Sequence, residues 1–279
     1  MITSFSNQRI RAVRALLNRK AERDKQQAFV IEGLRILREA PAEDVMELYV
    51  TEAFLHGCTP EDRKMMTAFS CEAETVSEEI MQRLSDTVHP QGVLAVVKKH
   101  ERTLNELFAS PEGDASENAA PPLILVLENL QDPGNLGTIL RSAEAAGVTG
   151  ILLVGDCADI YSPKVSRSTM GAVFRMPAIH VADIEEALRR LKEHHIRCVA
   201  ADVHTDLSYD TSDLTAAVAL LIGNEGAGLS QTALAGADQR ITIPMHGAVE
   251  SLNAGVAASV LAFEAARQRR ARSHKQNGK

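Results

Sequence analysis

Tryptophan is absent from this chain of 279 residues, and aromatic residues make up only 4% of it. That argues against nucleic-acid recognition by an extended row of stacked rings. Long apolar runs are also missing. The longer uncharged stretches, such as 214–224 and 251–263, fall short of the roughly 20 apolar residues that a membrane-spanning helix needs. The first residues lack the apolar core of a signal peptide, so a cytoplasmic protein without membrane contact is expected. Cys58, Cys71, Cys157 and Cys198 have neither zinc nor redox spacing, which points to reduced thiols, no disulfide framework and no metal site. No Gly-x-Gly-x-x-Gly follows the first strand of either half, and no Gly-Lys-Ser/Thr loop occurs. A small-molecule enzyme using a common nucleotide cofactor therefore has little support.

What is present is the composition of a soluble globular protein, with 45% hydrophobic and 24% charged residues. The length suggests about two domains. The net charge of −7 by itself argues against a polyanion partner, but it is unevenly spread. Residues 1–40 hold nine Lys/Arg against four Asp/Glu, and residues 267–279 hold six Lys/Arg and no acid. Basic ends on an acidic body suit local contact with phosphates, although solvated helix ends are often basic as well.

The run 109–121, Ala-Ser-Pro-Glu-Gly-Asp-Ala-Ser-Glu-Asn-Ala-Ala-Pro, has no apolar periodicity and reads as a flexible linker. It divides a small α/β domain, 1–108, from a second domain, 122–279. In the first, helices are expected at 9–20, 34–40, 60–68 and from 77, with strands at 29–31, 48–51 and 93–97. The first helix carries Ile10, Val13, Leu16 and Leu17 on one face, and Arg11, Arg14 and Arg19 are its candidate RNA contacts. In the second, strands are expected at 123–127, 151–154, 178–181, 197–201, 218–222 and 240–243. Helices fall at 136–146, 184–195, 229–235 and 252–272. Strands that are apolar throughout indicate a parallel sheet buried on both faces. The last helix is rich in small residues, among them Ala254, Gly255, Ala257, Ala258, Ala262 and Ala265. It reads either as a tightly packed core helix or as one shared with a second copy of the chain.

Three blocks in the second domain pair a tight turn with polar side chains just after an apolar strand. They are Asn129-Leu-Gln-Asp132-Pro133-Gly134-Asn135 with Gly137 and Arg141; Gly223-Asn224-Glu225-Gly226-Ala-Gly228; and Ile243-Pro244-Met245 with Ser251-Leu252-Asn253. In open α/β sheets ligands bind at the carboxyl ends of strands. Together, and in this order, the blocks resemble the three motifs of the SpoU (TrmH-like) family of RNA ribose 2′-O-methyltransferases. Ser162-Pro163 and the run 170–177 fit the same pattern, and Phe29-Val-Ile-Glu32-Gly33 resembles the ribosomal-protein-like substrate domain of rRNA-directed members. The resemblance spans almost the whole chain. It implies a parallel sheet with a deep trefoil knot, S-adenosylmethionine as methyl donor, RNA as substrate with rRNA favoured over tRNA, and a homodimer. A catalytically inactive RNA-binding protein of the same fold is the alternative.

By the same resemblance, Gly223, Ile243 and Leu252 line the donor pocket, with Leu221 and Met245 as neighbours. A glycine permits close backbone approach, and apolar side chains suit an adenine face. The catalytic candidates are Asn135, Arg141, Glu225, Ser251 and Asn253. A guanidinium is a poor general base but a good two-donor phosphate clamp. Arg141 is therefore expected either to grip the phosphate beside the target ribose or to sit in a surface salt bridge. Asn135 is expected to cap the helix that follows it or to contact substrate. Glu225 is expected beside an arginine, with Arg141 as the candidate, which it would orient. Ser251 is either a helix cap or a substrate contact.

Overall fold

The computed structural model describes residues 1–85, 87–100, 102–108, 120–247 and 249–277. The expected linker lies outside the described residues except for Ala120 and Pro121. The chain forms two compact units, Met1–Glu101 with Asp159–Phe174, and Arg102–Ala158 with Arg175–Lys279.

The first unit contains α1 (Gln8–Asn18), α2 (Lys20–Gln26), β1 (Ala28–Glu32), α3 (Leu34–Leu37), β2 (Val45–Val50), α4 (Glu52–Gly57), α5 (Pro60–Thr67), β3 (Ala73–Thr75), α6 (Glu78–Leu84) and β4 (Val93–Lys98). Its four strands run in the order β1-β4-β2-β3. Alternation along the strands divides their side chains between two cores. Ala28, Val30, Leu94 and Val96 face Ile10, Val13 and Leu16 of α1 and Ile80 and Met81 of α6. Phe29, Ile31, Val93, Ala95 and Val97 face Ile36, Leu37 and Phe69. The single helix expected over 9–20 is broken, because Arg19 is extended (φ −131°) and α2 starts anew behind it. Helix α5 opens as the sequence reads, at Thr59 and Pro60, and Asp62 completes a reciprocal capping box with Thr59. The helix expected over 34–40 is present only as the single turn α3, and the short α4 escapes sequence reading because it does not show a full apolar period.

The second unit contains α7 (Leu104–Phe108), β5 (Leu123–Glu128), α8 (Pro133–Ala146), β6 (Gly150–Val154), β7 (Ala178–Val181), α11 (Ile184–Glu193), β8 (Arg197–Ala201), β9 (Val218–Ile222), α12 (Gln231–Gly236), β10 (Gln239–Ile241) and α13 (Ala254–Asn277). Between β6 and β7 the chain forms α9 (Pro163–Ser168) and α10 (Ala172–Arg175). Most of this stretch, Asp159–Phe174, belongs to the first unit. There Asp159 accepts from Nε and Nη2 of Arg23 at 2.8 and 2.6 Å, and the tilted ring of Tyr161 packs against Phe29 with ring centroids 4.8 Å apart. Arg23 is buried, and its Nη1 also donates to the Leu16 carbonyl at 2.6 Å. The short α7 belongs to the second unit because Leu107 is fully buried in its core. A Cβ on Gly150 would lie only 1.6 Å from Leu107 Cδ2.

The six strands of this unit are all parallel, in the order β10-β8-β9-β5-β6-β7. Strands β5 and β9 are wholly buried, as their apolar runs over 123–127 and 218–222 require. From β5 the chain proceeds to β6 on one side, while β9 flanks β5 on the other, so a crevice opens above their carboxyl ends. The last helix returns from β10, at one edge of the sheet, to pack on α8, β9 and β5. Its small residues Ala258, Ala262 and Ala265 are at most 1% exposed, so that face is consumed inside the protomer. Farther along, Arg269 ties α13 to the starts of β5 and β9 by donating to the carbonyls of Pro121, Pro122, Leu214 and Ala216.

Candidate active site

Strand β5 delivers its last residues into a backbone turn held from several sides. Asn129 has a positive φ of 54°, an uncommon conformation that asparagine tolerates better than most residues. Its amide donates to the Val154 carbonyl at 2.9 Å, and its Oδ1 accepts from the Asp156 amide at 2.9 Å. Beneath the turn, the Cys157 thiol lies near the Leu130 amide and the Leu127 carbonyl. Burial pushes that thiol above its ordinary pKa, so it is a packing group rather than a nucleophile.

Helix α8 begins earlier than the sequence reading places it. Asp132 is the cap, accepting from the Asn135 amide at 2.8 Å, and Pro133 takes the first helical position. Asn135 is therefore inside the first turn, not at the cap, which leaves its side chain free to reach other elements. Its Nδ2 donates to Glu225 Oε1, and its Oδ1 accepts from Asn253 Nδ2 at 2.8 Å. Glu225, expected beside an arginine, instead has Asn135 as its partner. Arg141 lies further along α8, exposed, with no hydrogen bond or ion pair among the described residues.

The turn after β9 is closed by two backbone bonds, Asn224 N to Gly228 O at 3.1 Å and Gly228 N to Asn224 O at 2.9 Å. Asn224 Oδ1 accepts from the amides of Gly226 and Ala227, while its Nδ2 donates to the Asn129 carbonyl at 2.9 Å. Gly223 packs against the far side of this turn, with a Cβ position only 2.1 Å from the Gly228 carbonyl carbon. The third block ends at α13, and its cap is Asn253 rather than Ser251. Asn253 Oδ1 accepts from the amides of Gly255 and Val256 at 3.0 and 3.3 Å. Ser251 is exposed and its hydroxyl has no hydrogen bond among the described residues.

Two hollows adjoin these turns. A cavity of about 810 Å³ is lined by Gly223, Ile243, Met245 and Leu252, with Glu225 and Ser251 also on its wall. Leu221, expected as a neighbour, is fully buried in the sheet core and does not line it. The second hollow, of about 580 Å³, is bounded by Asp132, Asn135, Asn224, Glu225 and Asn253. Glu225 thus borders both. Sequence reasoning missed the loop after β8, Asp202–His204, which also lines the larger cavity. Nothing in that loop's composition marks it; only its place at the carboxyl end of a neighbouring strand does. Among the described residues no group of three or more His, Cys, Asp or Glu is arranged to hold a metal ion. No described helix is long and apolar enough to cross a membrane.

The larger cavity is of the size that small-molecule and cofactor sites occupy, roughly 300–1,000 Å³. Its wall combines apolar side chains with a carboxylate, a hydroxyl and a glycine whose backbone is bare, which fits a ligand with a flat apolar ring and a charged, polar end. The three RNA candidates of the first unit, Arg11, Arg14 and Arg19, are all exposed on or just beyond α1.

Comparison with known proteins then bears on both units. Residues 122–263 match the model of the SpoU rRNA methylase family, and residues 7–95 match the MRM3-like substrate binding domain. The chain is 34% identical to an uncharacterized tRNA/rRNA methyltransferase of Synechocystis, over 98% of its own length and 95% of the relative. It is 31% identical to the 23S rRNA (guanosine-2′-O-)-methyltransferase RlmB of Escherichia coli, over 93% of its own length and 97% of RlmB. Among solved structures it is similar to the SpoU methyltransferase AviRb of Streptomyces viridochromogenes in complex with the cofactor AdoMet. That match has a TM-score of 0.81 and 29% identity, and covers 95% of this chain and 100% of AviRb.

Proposed function

The chain belongs to the SpoU rRNA methylase family, and on that premise we propose how its residues carry out methyl transfer. It is an S-adenosylmethionine-dependent RNA methyltransferase that acts on a ribose 2′-hydroxyl of rRNA. The donor supplies an electrophilic methyl group when bound. Gly223, Ile243, Met245 and Leu252 hold it in the larger cavity, and the adjoining hollow receives the target ribose.

The observation that carries this assignment is the hydrogen-bonded row Asn253–Asn135–Glu225, in which residues far apart in sequence meet between the two hollows. The row fixes the Asn135 amide and leaves the carboxylate of Glu225 on the wall of both. Arg141 grips the RNA phosphate beside the target ribose with two parallel donors. This grip holds the 2′-hydroxyl in line and lets a phosphate oxygen take its proton, since a guanidinium cannot. Ser251, on the wall of the larger cavity, meets the substrate or donor. Holding the reacting groups in line supplies most of what a methyl transfer needs from a protein.

The proposal extends to assembly and to RNA contact. The protein is a cytoplasmic homodimer. Val256 and Phe263, seven residues apart on α13, are 47% and 45% exposed, and they form the face that a second copy covers. The family's trefoil knot is part of the same reading, supported by the return of α13 from β10 to α8 and β5. Arg11, Arg14 and Arg19 on the first unit bind phosphates along the RNA. An inactive RNA-binding protein is the alternative, and the complete set Asn135, Arg141, Glu225, Ser251 and Asn253 speaks against it.

The test is transfer of labelled methyl from S-adenosylmethionine to rRNA prepared from cells lacking the protein, followed by mapping of 2′-O-methyl ribose. Incorporation at a defined ribose is expected. Donor binding without incorporation into any rRNA would favour the inactive alternative.

A further inference from the structure

One buried acid has no part in the mechanism above. Glu128, the last residue of β5, is only 4% exposed, although it lies in a strand that is otherwise apolar. Burying a carboxylate is costly unless it is well paired. Among the described residues its hydrogen bond is to a backbone group: Glu128 Oε2 accepts from the Ser230 amide at 2.8 Å. Ser230 ends the loop after β9 and caps α12, its Oγ accepting from the Ala233 amide at 3.1 Å. The other end of that loop is held by the residue just after β5, as Asn224 Nδ2 donates to the Asn129 carbonyl at 2.9 Å. Consecutive residues at the end of one strand therefore grip both ends of the loop 224–230, which forms one wall of the donor cavity.

The positive φ of Asn129 belongs to the same device. A residue held in that region is strained and persists only where its surroundings demand it. Here the bonds from Asn129 to Val154 and Asp156 hold the turn, and the Asn129 carbonyl is left aimed at Asn224.

We propose that Glu128 is a positioning residue for the methyl donor: its carboxylate, through the Ser230 amide, sets the height of the loop 224–230 over the donor cavity. The proposal rests on the assignment of that cavity to S-adenosylmethionine. Glu128 touches neither donor nor RNA, so its loss should act on donor affinity and spare the chemical step.

The experiment measures S-adenosylmethionine affinity by calorimetry, KM for the donor, kcat at saturating donor, and thermal stability. Glu128→Leu leaves a buried amide without an acceptor, and roughly tenfold or greater weakening of donor binding is expected, with kcat within a few-fold of wild type. Glu128→Gln keeps an acceptor oxygen and should restore most of the affinity. Ser230→Pro removes the amide proton at a φ of −63°, which a proline ring accepts. Ser230→Ala serves as the control for the lost hydroxyl. If the acid works through the Ser230 amide, Glu128→Leu with Ser230→Pro should bind donor no more weakly than the worse single variant. Should Glu128→Leu fail to fold, Glu128→Gln and Ser230→Pro decide the matter. Wild-type affinity in Ser230→Pro or Glu128→Leu overturns the proposal, as does additive loss in the pair. A fall in kcat and stability with unchanged KM for the donor also overturns it. A wild-type protein that does not bind S-adenosylmethionine at all overturns the cavity assignment instead.

Discussion

Substituting the three glycines of the turn after β9 should give a graded series whose order comes from geometry alone. A Cβ on Gly223 would lie 2.1 Å from the Gly228 carbonyl carbon and 2.3 Å from both the Gly228 oxygen and the Leu229 nitrogen. All three are backbone atoms, and ordinary contact begins near 3.4 Å, so one side of the turn must move by more than 1 Å. That movement opens the paired bonds between Asn224 and Gly228. Losing two such bonds costs about 1 kcal/mol each, and overpacking adds about 1–3 kcal/mol. Gly223→Ala should therefore cost about 3–5 kcal/mol, a large part of a typical folding stability. Gly228 has a φ of +68° with nothing within 4 Å of its Cβ position, so Gly228→Ala should cost only the left-handed penalty of about 1–2 kcal/mol. At Gly226 the nearest atom is Asn224 Oδ1 at 3.6 Å, so Gly226→Ala should be close to neutral. Urea unfolding and calorimetric titration with S-adenosylmethionine read the series. A cost of about 3 kcal/mol in the donor-binding shape weakens affinity more than a hundredfold. Wild-type stability and affinity in Gly223→Ala, or a worse defect in Gly226→Ala, would refute the reasoning.

Arg141→Lys keeps the charge but loses the planar two-donor grip; single-turnover methyl transfer should fall by roughly two orders of magnitude with donor affinity unchanged. Near-normal transfer would remove the phosphate clamp. Neutralising Arg11, Arg14 and Arg19 together should weaken rRNA binding and flatten its salt dependence, because each lost phosphate contact removes counterion release. An unchanged salt slope would move the RNA contact elsewhere. Phe263→Glu should shift the protein toward monomer in sedimentation, whereas a large side chain at Ala258, which is 1% exposed, should prevent folding. A stable wild-type monomer at micromolar concentration would contradict the dimer. Hydrogen bonds from Arg38 and Thr59 hold the Asp62 carboxyl below the usual carboxylate range. Its contribution to stability is therefore complete above the unfolded value of about 3.9 and is lost as pH falls through the lower folded value. Asp62→Asn should lower the melting temperature at neutral pH and leave it nearly unchanged at the acid end, as a pH series of thermal melts would show.

Local order was legible from the sequence because it depends on near neighbours. Apolar runs marked β5, β6 and β9 as buried parallel strands. Thr59 with Pro60 marked the start of α5. Three turn motifs at strand ends marked the site, and their order in the chain marked the family. Tertiary structure alone decided what depends on distant partners. Asn135 could be read equally well as a helix cap or a ligand contact, until Asp132 took the cap and Glu225 and Asn253 took the Asn135 amide. The small residues of α13 could serve an interface or a core, and only the packing of Ala258 and Ala262 inside the protomer chose between them. Nothing near Asp159–Phe174 in sequence announces that it packs with the first unit, because Arg23 and Phe29, which hold it there, lie more than a hundred residues earlier. Periodicity and turn chemistry reach only a few residues along the chain, whereas a hydrogen bond or a packed ring is indifferent to the sequence distance it closes.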